Sequence, residues 1–319
     1  CIVSLFGIIA PFLILRRIFP KLSWIHIKVQ DFIMGIFMRK CDICISLTGY
    51  VYAPRIAQKK GAIIIMERGS KHILEQKKIL EKNPHKKNEA IPNRNIKCNL
   101  KAYQFANFIS VASQHVKESF LLHQYPENRI FVNPYGVDLS MFKPLPNIPK
   151  KYDVIMVGGW GYEKGCDLIV EAIRKTNYSF IHVGSIKDVD FPQEKNFTHI
   201  DPVDQSKLIE YYNQAKVFIL PSRQDGFGMV LSQALACNLP IIGSNNCGAP
   251  DLKKMVELPE YITIIKDYTA DAIVTAIHTA IKNYEQLGER IYAGNAIENL
   301  TWEAYGKRYA NFLHKIIKQ

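Results

Sequence analysis

The densest chemistry in the sequence lies where an apolar, strand-like run ends and a helical pattern begins, at Pro221-Ser-Arg-Gln-Asp-Gly-Phe-Gly-Met-Val-Leu-Ser-Gln233. A helix that opens directly after such a loop points free backbone N–H groups and its positive end at one place, which suits a pyrophosphate. Gly226 and Gly228 let the backbone approach a ligand without a Cβ in the way. Asp225 before the helix and Gln233 on it are side chains suited to sugar or ribose hydroxyls. An N-cap acid and glycines also serve many helices that bind nothing. A second turn, Gly158-Gly-Trp-Gly-Tyr-Glu-Lys164-Gly165, follows the apolar run Asp153–Val157 and also opens a helix. As a dinucleotide fingerprint it is poor: Lys164 stands where a third glycine belongs, and Gly184-Ser185 replaces the expected acid after the next strand.

The elements that must position these residues alternate short apolar runs with helical patterns, the mark of a parallel α/β architecture. Strands are expected at Ile43–Leu47, Ala62–Met66, Phe108–Ala112, Asp153–Val157, Ser179–Val183, Val217–Leu220 and from Ile241. Leu168, Ile169, Ala172 and Ile173 form the apolar stripe of a helix over Lys164–Lys175, and a second helix is expected over Gly228–Cys237. Ile273, Ile277, Ile281 and Tyr284 line a later helix, and a last one from Trp302 would bury Tyr305, Tyr309, Phe312, Leu313 and Ile316. Pro144-Leu-Pro-Asn-Ile-Pro149 cannot be regular structure and reads as a domain linker. The lysine-rich stretch Glu75–Asn95 reads as a solvated helix and loop, or as a surface that meets something anionic.

Composition narrows the class. At about 150 residues per domain, 319 residues suggest two domains, and 48% apolar with 22% charged content is that of a globular chain with real cores. The 41 basic against 29 acidic residues leave +12, which favours phosphate-bearing partners. No basic helix with interleaved aromatics supports nucleic-acid binding. Seven cysteines without regular spacing make no disulfide framework, and Cys41-x-x-Cys44 lacks the second pair of a zinc ribbon. These cysteines are expected to be buried and apolar. Cys1 in place of Met suggests an incomplete reading frame. The apolar opening Cys1–Leu15 with Arg16 and Arg17 is too short for a membrane span, and reads as a buried helix or as one resting on a membrane surface.

Together, Pro221–Leu252, Gly158–Gly165 and Asn133-Pro-Tyr-Gly-Val-Asp138 with Phe142 and Pro144 resemble family 4 (group 1) retaining glycosyltransferases. The resemblance covers Ile43 to about Phe312 and implies the GT-B fold, an α/β pair of facing Rossmann-like domains with parallel sheets. It would place an acceptor-side domain, incomplete at its start, at 1–147 and a nucleotide-sugar domain at 148–300. Residues 301–319 would form a helix packing back on the first domain. Asp225 stands where the family usually has Glu, as does Gln233, and Asn238 where Gly is common.

By the same resemblance Lys164 contacts the donor diphosphate, while the family's companion arginine falls at Gly159. Gly159, Gly165, Gly226, Phe227, Gly228, Met229 and Val230 line the donor, with N–H groups of 227–229 on the phosphates. Gln233 bonds the ribose, Asp225 holds the transferred sugar, and backbone near His199–Val203, Val203 included, meets the base. In the first domain the family's histidine region reads Met66-Glu67-Arg68-Gly69-Ser70-Lys71-His72. Arg68 would neutralise a leaving phosphate, His72 would bond sugar or acceptor, and Glu67 and Ser70 would lie on the acceptor side.

The implied activity is a retaining transfer of a hexose-type sugar from a nucleotide-diphosphate sugar to a glycan or lipid-linked acceptor, in surface polysaccharide or lipopolysaccharide synthesis. No cofactor and no essential metal are implied, and no Asp-x-Asp pair stands in a metal-binding context. The expected location is cytoplasmic, at the inner membrane face, with peripheral contact to anionic lipid through Lys71–Lys101. Two rivals stand beside it: a non-catalytic or decayed GT-B-like binding protein, and an NAD(P)-dependent oxidoreductase.

Overall fold

The computed structural model describes residues 23–85, 91–288 and 290–318. The apolar opening Cys1–Leu15, with Arg16 and Arg17, lies outside the described residues. The chain divides into two units, residues 1–68 with 91–110 and 127–131, and residues 69–90 with 111–126 and 132–319.

The first unit is built on a four-stranded sheet in the order β1 (Ile43–Leu47), β2 (Ile63–Arg68), β3 (Phe108–Val111), β4 (Ile130–Val132). β1 and β2 run parallel with Cys44 opposite Ile64 and Leu47 opposite Glu67. Ile64, Ile65 and Met66 are fully buried, whereas Ile45 and Leu47 on the outer strand are exposed. The helix Tyr52–Lys59 joins these strands, and its first N–H groups find no partner within the helix. Asp31, from the helix Ser23–Ile36, supplies the cap: its carboxylate accepts from Val51, Tyr52 and Ala53 N–H at 2.9, 2.7 and 2.8 Å. Cys41 precedes β1 and Cys44 lies within it, both half-buried as is Cys98, so among the described residues the expectation of buried cysteines holds for Cys166, Cys237 and Cys247. Among the described residues β1 is an outer strand of its sheet. Burial, with Cys41 adding to it, still pushes the Cys44 thiol up to about 11.

The second unit carries six strands, β5 (Tyr152–Val157), β6 (Phe180–Val183), β7 (Phe197–Ile200), β8 (Ala215–Leu220), β9 (Ile241–Ser244) and β10 (Ile262–Ile265). Their order is β10-β9-β8-β5-β6-β7 and every pairing is parallel. Parallel strands are covered on both faces and therefore read as continuous apolar runs. Val154–Val157 and Val217–Leu220 are buried throughout. The helix Cys166–Arg174 buries Leu168, Ile169, Ala172 and Ile173, and the helix Ala270–Leu287 buries Ile273, Ile277 and Ile281, as their spacing requires. The first begins two residues later than expected, because Gly165 takes a left-handed φ of 75° and Tyr162–Lys164 turns as a 3-10 segment.

Residues 143–151 have no regular structure, in keeping with their prolines, and are tied to the helix Gln205–Gln214. Leu145 N–H donates to Asn213 Oδ1 at 2.8 Å, and Asn213 Nδ2 donates to Lys143 O at 3.1 Å. The last helix, Trp302–Ile317, starts on the Thr301 hydroxyl, which accepts from Ala304 N–H. It buries Tyr309 and Ile316 and leaves Tyr305, Phe312 and Leu313 half-buried. Its Arg308 donates to Asn133 Oδ1 at 2.7 Å and to Pro134 O at 2.8 Å. Among the described residues no helix is long and apolar enough to cross a membrane.

Candidate functional site

The strand order of the second unit reverses between β5 and β8: the chain runs outward through β6 and β7, then returns to β8 on the other side. In open parallel sheets such a reversal leaves a crevice at the carboxyl ends of the two central strands. The loops there are 158–165 after β5 and 221–228 after β8, the two motifs with the clearest chemistry. Lys164 Nζ and Asp225 Oδ2 meet across them at 2.6 Å, both largely buried. Burial works to lower the Lys164 pKa, but the adjacent Asp225 carboxylate outweighs it and holds the ammonium above its ordinary range.

Several bonds knit the two loops into one surface. Arg223 N–H donates to Glu163 O at 2.9 Å. The Arg223 guanidinium lies 3.8 Å from the centre of the Tyr162 ring and binds both oxygens of Asp167, at 2.6 and 2.7 Å. A Cβ on Gly165 would stand 2.4 Å from Pro221 O, so the approach depends on glycine. On the other side, His182 Nε2 donates to Gly158 O at 2.8 Å, and burial pushes this imidazole down to about 4.

The Asp225–Gly228 loop is shaped by chain that precedes residue 126. The Ser113 hydroxyl donates to Gly226 O at 2.6 Å, and His115 Nε2 donates to Asp225 O at 2.7 Å. Burial, reinforced by the Lys71 ammonium, pushes His115 down to about 4, so the ring is neutral near pH 7. Gly226 packs so tightly on Gly69 that a Cβ would stand 1.9 Å from Gly69 O. Phe227 is buried and meets Tyr135 edge to face, with centroids 5.9 Å apart. Gly228, at φ 79°, then starts the helix Met229–Ala236. The sequence does not single out Ser113 and His115, because a Ser-x-His after a strand carries no signal until the fold brings it to Asp225.

The remaining candidates fall in different settings. Gln233 is buried and its Oε1 accepts from the Tyr212 hydroxyl at 2.9 Å. Gln224, beside Asp225, is 1% exposed with neither amide atom bonded, the kind of buried polar group that calls for a partner. Val203 lies in the loop between β7 and the helix Gln205–Gln214. Met229 and Val230 form the first turn of the helix Met229–Ala236. Ser70 Oγ lies 3.5 Å from Gln76 Nε2. His72 is buried as a capping and packing residue, its N–H on Ser119 Oγ at 2.8 Å and its ring stacked on His123 at 4.0 Å. Glu67 and Arg68 end β2 in the first unit, where Arg68 donates to Asn99 Oδ1 at 3.1 Å. Among the described residues no group of three His, Cys, Asp or Glu side chains is arranged to hold a metal ion.

Residues 140–296 match the family described as Glycosyl transferases group 1. The chain is 26% identical over 242 residues to a probable sucrose-phosphate synthase of Thermosipho melanesiensis, an alignment covering 67% of this chain and 56% of that protein. The chain thus spans little more than half the length of this relative. Among solved structures, sucrose-phosphate synthase from Thermosynechococcus elongatus superposes with a TM-score of 0.69 at 16% identity, over 94% of this chain and 80% of that one. HepE of Anabaena, solved in complex with UDP, superposes with a TM-score of 0.64 at 14% identity, over 83% of this chain and 75% of its own. The α/β fold with two sheets is therefore the GT-B glycosyltransferase fold expected from the motifs.

Proposed function

We propose that this protein is a family 4 retaining glycosyltransferase that moves a hexose-type sugar from a nucleotide-diphosphate sugar to a glycan or lipid-linked acceptor. The observation that carries the reading is the Lys164–Asp225 pair, closed at 2.6 Å at the reversal of the sheet and flanked by glycine-opened backbone at the start of the helix Met229–Ala236. Lys164 and the N–H groups of 227–229 take the diphosphate, and the Asp225 carboxylate takes hydroxyls of the sugar. Gln233 keeps its amide N–H for the ribose while its carbonyl serves Tyr212.

In the transfer, the bond from the anomeric carbon to the diphosphate oxygen breaks and the acceptor oxygen bonds on the same face. The acceptor proton passes to the departing diphosphate, and positive charge already in place stabilises that group as it leaves. Lys164 and the helix start supply this charge in place of a metal ion. The matched sucrose-phosphate synthase and the UDP complex of HepE support a sugar-nucleotide donor and make uridine the first base to test.

The acceptor would belong to surface polysaccharide or lipopolysaccharide synthesis at the inner membrane face. In support, Ile25, Ile27, Phe32, Met34 and Ile36 stand exposed on one helix of the first unit, together with Lys28. Thermal unfolding with UDP, GDP, ADP and their sugar conjugates tests the donor, with nicotinamide cofactors as controls. A rise with one diphosphate family, lost in Lys164→Ala, is the expected outcome. Silence with all of them in a folded sample would favour a non-catalytic protein, and a rise with a nicotinamide cofactor an oxidoreductase.

A further inference from the structure

A nucleoside diphosphate brings more than one negative charge, and the paired cations at the sheet reversal offset it only in part. Lys164 is matched by Asp225 and Arg223 by the two oxygens of Asp167. In each pair the carboxylate cancels part of the positive field that an incoming anion would meet, which leaves a use for a further cation.

Lys187 is placed differently. It lies in the loop after β6, and backbone bonds fasten that loop to the glycine turn after β5. Trp160 N–H donates to Ser185 O at 2.8 Å, and Lys187 N–H donates to Trp160 O at 2.9 Å. Asp188 Oδ1 continues the clamp by accepting from Tyr162 N–H at 2.9 Å. With its backbone fixed in this way, the Lys187 side chain runs alongside Gly159. A Cβ at position 159 would stand 2.3 Å from Lys187 Cε and 2.8 Å from Nζ. The ammonium thus fills the space that a side chain at 159 would enter, at the mouth of the same turn that leads to Lys164. Lys187 is exposed, and among the described residues no carboxylate forms an ion pair with it.

We infer that Lys187 is a donor-phosphate ligand, its unpaired ammonium supplying from the β6 loop the second positive charge that Gly159 does not carry. Gly159 and Lys187 then work as a unit: the glycine leaves room for the lysine, and the lysine provides the charge. This rests on the nucleotide-diphosphate reading above.

Calorimetric binding of uridine, UMP and UDP to the full chain, with the guanosine and adenosine series beside them, tests it. The wild-type chain is expected to bind one diphosphate. Lys187→Met keeps the aliphatic stem and should weaken that diphosphate about tenfold, the scale of one charge-assisted hydrogen bond. The nucleoside should bind as before, and the salt dependence of diphosphate binding should fall. Adding Gly159→Arg to Lys187→Ala, which removes the stem as well as the charge, should recover affinity, because the arginine then has both the space and the charge. Equal diphosphate affinity in wild type and Lys187→Met overturns the inference, as does an equal loss with the free nucleoside. A wild-type chain that binds none of the three diphosphates removes the donor reading itself, and the role of Lys187 with it.

Discussion

The two loops that meet at the sheet reversal are held in place by different parts of the chain. The β5 loop, 158–165, is braced by its own sheet: His182 on β6 takes Gly158 O, Ser185 takes Trp160 N–H, and Asp188 takes Tyr162 N–H. All of these lie within residues 140–296, the segment that matches the glycosyl transferase family. The β8 loop is braced instead by residues far earlier in the sequence, Gly69, Ser113 and His115. In the proposed site the placement of Lys164 would therefore be a local property of the second sheet. The placement of Asp225, which would hold the sugar, depends on packing against the earlier segments. Nucleotide binding and sugar transfer should then separate on mutation.

Lys164→Met removes the ion pair between the two loops and should have the largest effect. It leaves the Asp225 carboxylate largely buried without its counter-ion, and both nucleotide affinity and transfer should fall, the latter by about 10²-fold or more. Retained donor affinity in a transfer assay with this variant would sink the proposed site. Next come two glycines that differ in what an added methyl meets. Gly226→Ala would drive a Cβ to 1.9 Å from Gly69 O, and should cost transfer about 10²-fold by displacing Asp225. Gly158→Ala meets nothing within 4 Å but sits at φ 125°, and should cost about 1–3 kcal/mol of stability through backbone strain. Steady-state kinetics and denaturant melts on the pair distinguish the two mechanisms.

Ser113→Ala sharpens the contrast further. It leaves Gly226 O without its donor in a buried site, a loss of about 1–3 kcal/mol. Turnover should drop more than nucleoside diphosphate binding, because Lys164 stays in place. An equal loss in both would mean that the loops are not independently braced.

The smallest effect is on pH. His115 and His182, one behind each loop, are both held near 4 by burial, against an ordinary value of 6.5. The unfolded chain binds more protons than the native one between these values, so stability falls as pH drops from about 6.5 towards 4. Melting temperature against pH should lose part of its slope in His115→Gln and part in His182→Gln. Unchanged slopes in both variants would show that neither ring is buried neutral.

Much of the framework was legible beforehand. β2, β3, β5, β6, β8 and β9 are where the apolar runs lie, because doubly covered parallel strands must be continuously apolar, and β1 is where a further run lies although Ile45 and Leu47 are exposed. The sequence does not predict β4, β7 and β10. They have three or four residues each, and Phe197-Thr-His-Ile200 carries too little apolar periodicity to stand out. The glycine turns and their charged residues were visible for the same reason the strands were: close backbone approach and left-handed turns admit few residue types.

What the sequence by itself determined is thus the α/β class, the two loops and the identity of Lys164 and Asp225. Only the tertiary structure decided their partners. Lys164 and Asp225 are 61 residues apart and meet because β5 and β8 are neighbours in the sheet. Ser113 and His115 reach the Asp225 loop across more than a hundred residues. His72, which the sequence offers for chemistry, is folded into a stack with His123. Lys187 reads as one surface lysine among many until the loop after β6 lays it beside Gly159. Periodicity and backbone permissiveness are local properties and can be read along the chain. Hydrogen-bond partners and charge balance depend on which strands lie side by side, and only the folded sheet fixes that.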